Sequence, residues 1–290
     1  MAKTTVALLH PGEMGAAVGA CARERGARVV WASDGRSPET RARAEASGLE
    51  DLKTLPATVT ASDVVLSVCP PHGAVDLARA VAALGFRGVF VDANAVAPQT
   101  AREIARIVEG SGATFVDGGI VGPPPGSGRG TRLYLAGKGA ERVAGLFTES
   151  ALGTVVLEGA IGAASALKVC YAAWTKGATA LIADVRALAA HAGVDAALVA
   201  EWKLSQPEAL TRSIQVTASA RKAWRWIAEM EEIAATFAEA GLPDGFHRAA
   251  ADIYARLERY QNAAAPPALT DVTDALRGHG GPGGSGATRA

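Results

Sequence analysis

Cysteine is scarce. Cys21, Cys69 and Cys170 lie far apart with no C-x-x-C spacing, which excludes a disulfide framework and a thiolate metal site and fits a reducing compartment. Net charge is also missing. The 29 basic and 29 acidic side chains cancel, so there is no electrostatic footprint for nucleic acid or an anionic membrane. No segment approaches the ~18 uninterrupted apolar residues of a membrane span, and no charged-then-apolar leader precedes the first strand. These absences predict a soluble, cytoplasmic protein that binds no metal. Aromatic residues are only 5% of the chain, so single tryptophans carry information. What is abundant is alanine and valine: 49% of the 290 residues are hydrophobic, enough for about two domains with real cores.

Short Val-rich runs alternate with helical stretches up to about Leu157. Strands are predicted at Val6–Leu9, Arg28–Trp31, Val64–Val68, Val89–Asp92 and Thr114–Asp117, with Arg132–Ala136 and Thr154–Leu157 extending the sheet. Helices are predicted at Gly15–Arg25, Pro38–Ser47, Ala74–Leu84 and Pro98–Glu109. This alternation implies an α/β, Rossmann-like, doubly wound parallel sheet over residues 1–158. From Gly159 to about Ala192 the chain is small and apolar without proline, which reads as one long interdomain helix of roughly 50 Å, apolar on most faces and therefore buried. Helical patterns continue through Asp195–Leu204, Ala218–Ala240 and Asp244–Gln261, giving an all-α C-terminal domain over 159–262. Residues 263–290 are expected to form a flexible tail, ending in the low-complexity stretch from Gly278.

The opening stretch VALLHPGEMGAAVGA is a strand, a tight turn and a small-residue helix, the unit that presents backbone N–H groups and a helix N-terminus to a pyrophosphate. Laid on G-x-G-x-x-G, the first glycine is His10, while Gly12 and Gly15 are retained and Glu13 and Met14 fill the positions between them. After the second strand, Arg36 with Ser33 and Ser37 suits the 2′-phosphate of NADP, whereas Asp34 suits the ribose of NAD; the arginine and its hydroxyls favour NADP, with NAD as the alternative. Cys69, Pro70 and Asn94 sit at further strand ends, where open α/β sheets bind ligands. Asp117–Gly126, rich in glycine and proline, reads as a stiff loop offering bare backbone to a substrate.

Lys168 is the most informative single residue. It lies in the long apolar helix, where lysine is rare without a partner or a task. Ser165, Lys168, Tyr171 and Thr175 make one polar stripe at helical spacing. A desolvated lysine titrates nearer neutrality and serves as a general acid or base. Lys176, by contrast, is expected to extend to the surface.

The opening glycines, Asp117-Gly118-Gly119 and the G-x-x-G-x-x-x-x-x-K stretch ending at Lys168 resemble the β-hydroxyacid dehydrogenase superfamily, which includes 3-hydroxyisobutyrate and 6-phosphogluconate dehydrogenases and, more distantly, imine reductases. The flavour is that of a branch of NAD(P)-dependent oxidoreductases with a C-terminal domain of unknown function, seen in Pro11-Gly12-Glu13-Met14-Gly15, Trp174-Thr175-Lys176-Gly177 and Gly241-Leu242-Pro243. The resemblance implies hydride transfer between a nicotinamide and a carbonyl/alcohol pair, Lys168 as general acid or base, and a homodimer with interlocked helical domains. Gly119, Val121, Gly122, Tyr171, Thr175 and Glu231 become the candidate substrate contacts, with Trp224, Trp226 and His247 as further pocket candidates. Three positions depart from the family pattern. Val121 stands for a carboxylate-binding serine, Ala172 for an asparagine and Glu231 for a basic residue. These departures argue against a simple 3-hydroxy acid. Imine reduction on the same scaffold and a catalytically inactive nucleotide-binding dimer remain as alternatives.

Overall fold

The computed structural model describes residues 3–128, 130–261 and 263–278. It divides into two compact units, 1–171 and 172–290, rather than at 158. In the first unit the strands are β1 (Thr5–Leu9), β2 (Arg28–Trp31), β3 (Glu50–Asp51), β4 (Val64–Ser67), β5 (Val89–Asp92), β6 (Thr114–Val121), β7 (Thr131–Ala136) and β8 (Leu152–Val156). They form one sheet in the order β3-β2-β1-β4-β5-β6-β7-β8, parallel throughout except for the β6–β7 pair. Side-chain alternation along each strand feeds two separate cores. Val6 and Leu8 pack on one face with Val18, Cys21 and Ala22 of α1 (Glu13–Glu24) and Ala44 of α2 (Pro38–Ala46). Ala7 and Leu9 pack on the other with Val59 of α3 (Leu55–Thr60), Ala78 and Val81 of α4 (Ala74–Ala83), and Ile104 and Val108 of α5 (Pro98–Gly110). A parallel sheet covered on both faces explains the near-continuous Val/Leu/Ala runs. The short α6 (Ala140–Ala144) adds Ala140 and Val143 to the first core.

Two expectations are corrected here. Strand β6 does not stop at Asp117; it runs through Gly118, Gly119 and Ile120 to Val121, paired antiparallel with β7. Pairing with β7 overrides the poor strand propensity of two glycines. The stiff loop therefore begins only at Gly122, whose φ of +124° and lack of a Cβ are both required: a Cβ there would lie 2.9 Å from Thr131 Oγ1. The long helix α7 spans Ala163–His191, starting after Gly162 turns the backbone at φ +101°.

In the second unit α7 continues from Ala172 and is followed by α8 (Asp195–Ser205), α9 (Pro207–Ala220), α10 (Trp224–Glu239), α11 (Gly245–Arg256) and α12 (Leu269–Leu276). Gly177 lets α11 approach α7, because a Cβ would meet Phe246 at 3.0 Å. Helix α9 is not legible in the sequence, and the single helix expected over Ala218–Ala240 breaks at 221–223. The expected flexible tail contains α12, with Val272 and Leu276 buried; residues 279–290 lie outside the described residues. Helix α7 is largely covered but carries one open apolar stripe, Trp174, Leu181 and Leu188, with Trp174 exposed to 68% and Leu188 to 66%. Among the described residues no helix is long and apolar enough to cross a membrane.

Candidate functional site

The strand order reverses between β1 and β4, and the carboxyl ends of these strands form the crevice where open α/β sheets take ligands. Directly after β1, His10 adopts the left-handed conformation at φ +68°. Gly12 N donates to His10 O (2.8 Å), closing the turn, and Gly12 caps α1. At Gly15 a Cβ would sit 2.4 Å from His10 O, so only glycine permits α1 to start this close to the strand end. A Cβ at Gly12 would meet no protein atom within 4 Å. The turn thus keeps free N–H groups and open space above a helix N-terminus, which fits a pyrophosphate. Glu13 is exposed there and Met14 half-buried.

The turn after β2 is locked by α2. Arg41 donates to Ser33 O (2.7 Å) and Arg36 O (3.2 Å), and Arg43 donates to Pro11 O (3.3 Å). The three residues read as a phosphate cradle behave differently. Ser33 is fully buried. Ser37 caps α2 through Thr40 N. Arg36 is half-buried, close enough to interact electrostatically with both His10 and Cys69. Burial lowers the Arg36 pKa below the usual guanidinium range. Asp34 is exposed beside it. Burial, and secondarily the Arg36 charge, pushes His10 down to about 4, so its ring is neutral near pH 7.

One row of residues crosses the carboxyl edge of the central strands. In strand register Leu9 faces Ser67, Ser67 faces Asp92 and Asp92 faces Asp117. Asn94 knits this row together. Its Nδ2 donates to Asp92 Oδ2 (2.7 Å) and Ser67 Oγ (2.9 Å), its Oδ1 accepts from Cys69 N, and its own N–H reaches Asp92 Oδ1 (3.1 Å). Both amide donors are committed inside the protein, and through its Oδ1 Asn94 holds the Cys69–Pro70 turn. Burial pushes Asp92 up to about 7 against the bonds from Asn94. Burial also pushes the Cys69 thiol up to about 11, keeping it neutral. Pro70 is exposed.

Asp117 holds the start of α7. Its Oδ2 accepts from Gly162 N (3.0 Å), Ala164 N (2.8 Å) and Ser165 N (3.1 Å), and its Oδ1 from Ser165 Oγ (2.6 Å). A carboxylate at a helix N-terminus satisfies N–H groups that have no intrahelical partner. Ser165 is thereby absorbed into the anchor. Gly119 lies under the same turn: a Cβ there would be 2.6 Å from Ala164 O and 3.2 Å from Lys168 Cβ. Lys168 is half-buried rather than buried, with its stem beside Gly119. Val121 is buried and Tyr171 is 47% exposed.

The remaining candidates belong to the second unit. The Thr175 carbonyl accepts from Thr179 Oγ1 (2.9 Å), and Glu231 is exposed on α10. Lys176 does not extend to the surface: it pairs with Glu229 and lies 5.7 Å from the Trp226 ring centroid. Trp226 packs edge-on against Tyr254 (5.1 Å), and Trp224 stacks with Arg225 (5.2 Å). His247 sits between Phe237 and Phe246, and burial lowers its pKa. Sequence reasoning missed His10, Asp92 and the anchoring role of Asp117. The one available signal was the histidine standing where the fingerprint has a glycine.

Residues 5–159 match the NAD binding domain of 6-phosphogluconate dehydrogenase. The chain belongs to that family. Residues 189–257 match a domain of unknown function, DUF1932. A probable 3-hydroxyisobutyrate dehydrogenase of Mycobacterium bovis is 29% identical over 171 residues, which is 58% of each chain, so the match spans under two thirds of that relative. Among solved structures, the Mycobacterium tuberculosis 3-hydroxyisobutyrate dehydrogenase with L-serine superposes at TM-score 0.69 and 22% identity, covering 95% of this chain and all of that one. The Aspergillus terreus reductive aminase with NADPH and ethyl levulinate gives 0.57 and 18%, covering 94% and 99%. These likenesses establish a Rossmann-type, β-hydroxyacid dehydrogenase-like chain with a helical C-terminal region.

Proposed function

We propose that this protein is an NADP-dependent dehydrogenase or reductase interconverting a small-molecule carbonyl and its alcohol, with Lys168 as the proton donor and acceptor. The observation that carries the reading is the placement of Lys168 against Gly119 on a helix end fixed by Asp117, at the same edge of the sheet as the His10–Gly15 turn. Gly12, Gly15 and the N-terminus of α1 would hold the pyrophosphate. Arg36, beside the exposed Ser37, would hold the 2′-phosphate as a planar cation suits. When bound, the nicotinamide supplies or takes the hydride. The Lys168 ammonium gives a proton to the carbonyl oxygen as negative charge develops there, and takes one back in the reverse direction.

Titration with NADPH and with NADH, followed by nicotinamide fluorescence, tests the cofactor half. Wild type should favour NADPH, and Arg36→Ala should weaken NADPH roughly tenfold or more while leaving NADH unchanged, the scale of a lost charge-assisted contact. Preference for NADH, indifferent to Arg36→Ala, would give the role to Asp34 instead. Imine reduction is the second reading, favoured by the fold shared with the reductive aminase; a screen of carbonyls with and without added amine separates the two.

A homodimer completes the reading. Exposed Trp174, Leu188, Leu204 (84%) and Ile214 (69%) leave apolar helix surface of the second unit open to a partner. Sedimentation velocity should give twice the chain mass at micromolar concentration; a monomer there refutes the assembly.

A further inference from the structure

His10 carries two costs that glycine would not. Its backbone is left-handed, a conformation natural to glycine that only a few per cent of other residues adopt, histidine more readily than most. Its Nδ1 is buried with no hydrogen-bond partner, and buried polar atoms are almost always paired. Both fall on the residue that occupies the first-glycine position of the dinucleotide turn. Left-handed backbone and an unpaired buried nitrogen on one residue are costs of the kind that cluster at ligand sites. Its surroundings say which part of the ligand. Arg36 is the charged group that couples to it, from the β2–α2 turn. Cys69, also coupled to Arg36, stands at the end of β4 as a neutral thiol. Arg43 is turned to the Pro11 carbonyl, and Glu13 is exposed at the first turn of α1.

We infer that His10 is a second specificity determinant for the cofactor, contacting the phosphorylated adenosine ribose beside Arg36. The inference rests on the NADP reading above and adds to it a residue and a pH dependence. In the free protein the ring is neutral down to about pH 4. A 2′-phosphate set beside it favours the imidazolium and raises its pKa in the complex. Binding then takes up a proton, and NADPH affinity rises as pH falls through the window between the complex value and about 4. NADH brings only the pyrophosphate that both cofactors share, so its uptake is smaller by the part due to the 2′-phosphate.

The test is His10→Gly, with His10→Asn as a variant that tolerates the left-handed backbone but does not titrate. Dissociation constants for NADPH and NADH are measured from pH 5 to 8 alongside thermal melts of the unliganded proteins. His10→Gly should weaken NADPH about 5- to 20-fold, the scale of one hydrogen bond to a charged group, while its melting temperature holds or rises. His10→Asn should lose the part of the NADPH pH dependence that wild type shows beyond the titration of the 2′-phosphate itself. A purely structural histidine would give the opposite pair: lower stability and unchanged affinity. Wild-type preference for NADPH left intact within twofold by His10→Gly overturns this inference alone. Wild-type preference for NADH overturns both it and the NADP reading.

Discussion

Lys168→Ala is expected to slow the chemical step by about 10²- to 10⁴-fold, the usual scale for a positioned general acid, while NADPH affinity stays near wild type. The expected separation follows from where the residue sits. Its Cβ lies over Gly119, which has no side chain to displace it, and the turn before it is tied to Asp117. On the proposed reading the side chain supplies a proton, while the dinucleotide turn is built from His10–Gly15 and the start of α1. Single-turnover oxidation of bound NADPH, with carbonyls selected by a wild-type screen of small aldehydes, ketones and keto acids, reads the step directly. Near-normal turnover in the variant would falsify the assignment.

Asp117→Ala carries the second large effect, on stability. It strips a carboxylate from three backbone N–H groups and the Ser165 hydroxyl, all buried. Relief from burying the carboxyl offsets part of the loss, because burial pushes its pKa above the usual range. Buried donors left unpaired cost roughly 1–3 kcal/mol each, so a net loss of about 3 kcal/mol is expected, or roughly 6–12 °C in melting temperature for a chain of this size. Turnover should fall as well, since the turn that aims Lys168 loses its anchor. An unchanged melting temperature would mean that water replaces the carboxylate and that the anchor is dispensable.

The sequence conveyed what local chemistry determines. Strands β2 and β5 fall on the expected residues, because buried parallel strands read as unbroken apolar runs bounded by polar turns. Gly15 was legible as a packing glycine from its place in the fingerprint. What escaped depends on partners far along the chain. Asp117 finds its N–H groups 45 to 48 residues away, and Lys176 finds Glu229 53 residues away. No local pattern separates a lysine that extends to solvent from one that meets a carboxylate on another helix. Strand β6 was cut short because Gly118 and Gly119 look like a turn. Their real function is to be thin: a Cβ at Gly118 would lie 2.8 Å from Asp92 O, as one at Gly119 would from α7. Asn94 stands at a strand end as a polar amide, and only its neighbours in space reveal that both its N–H donors are taken by Asp92 and Ser67.

The bracing of the two turns by Arg41 and Arg43 has a kinetic meaning. A loop that must reorganise around an incoming molecule loses conformational freedom at that moment, and both affinity and capture rate suffer. Here the carbonyls of Pro11, Ser33 and Arg36 are already held from α2. The ordering has been completed at folding. For a dinucleotide bound at this edge, the braced turns leave less ordering to be done at the moment of capture.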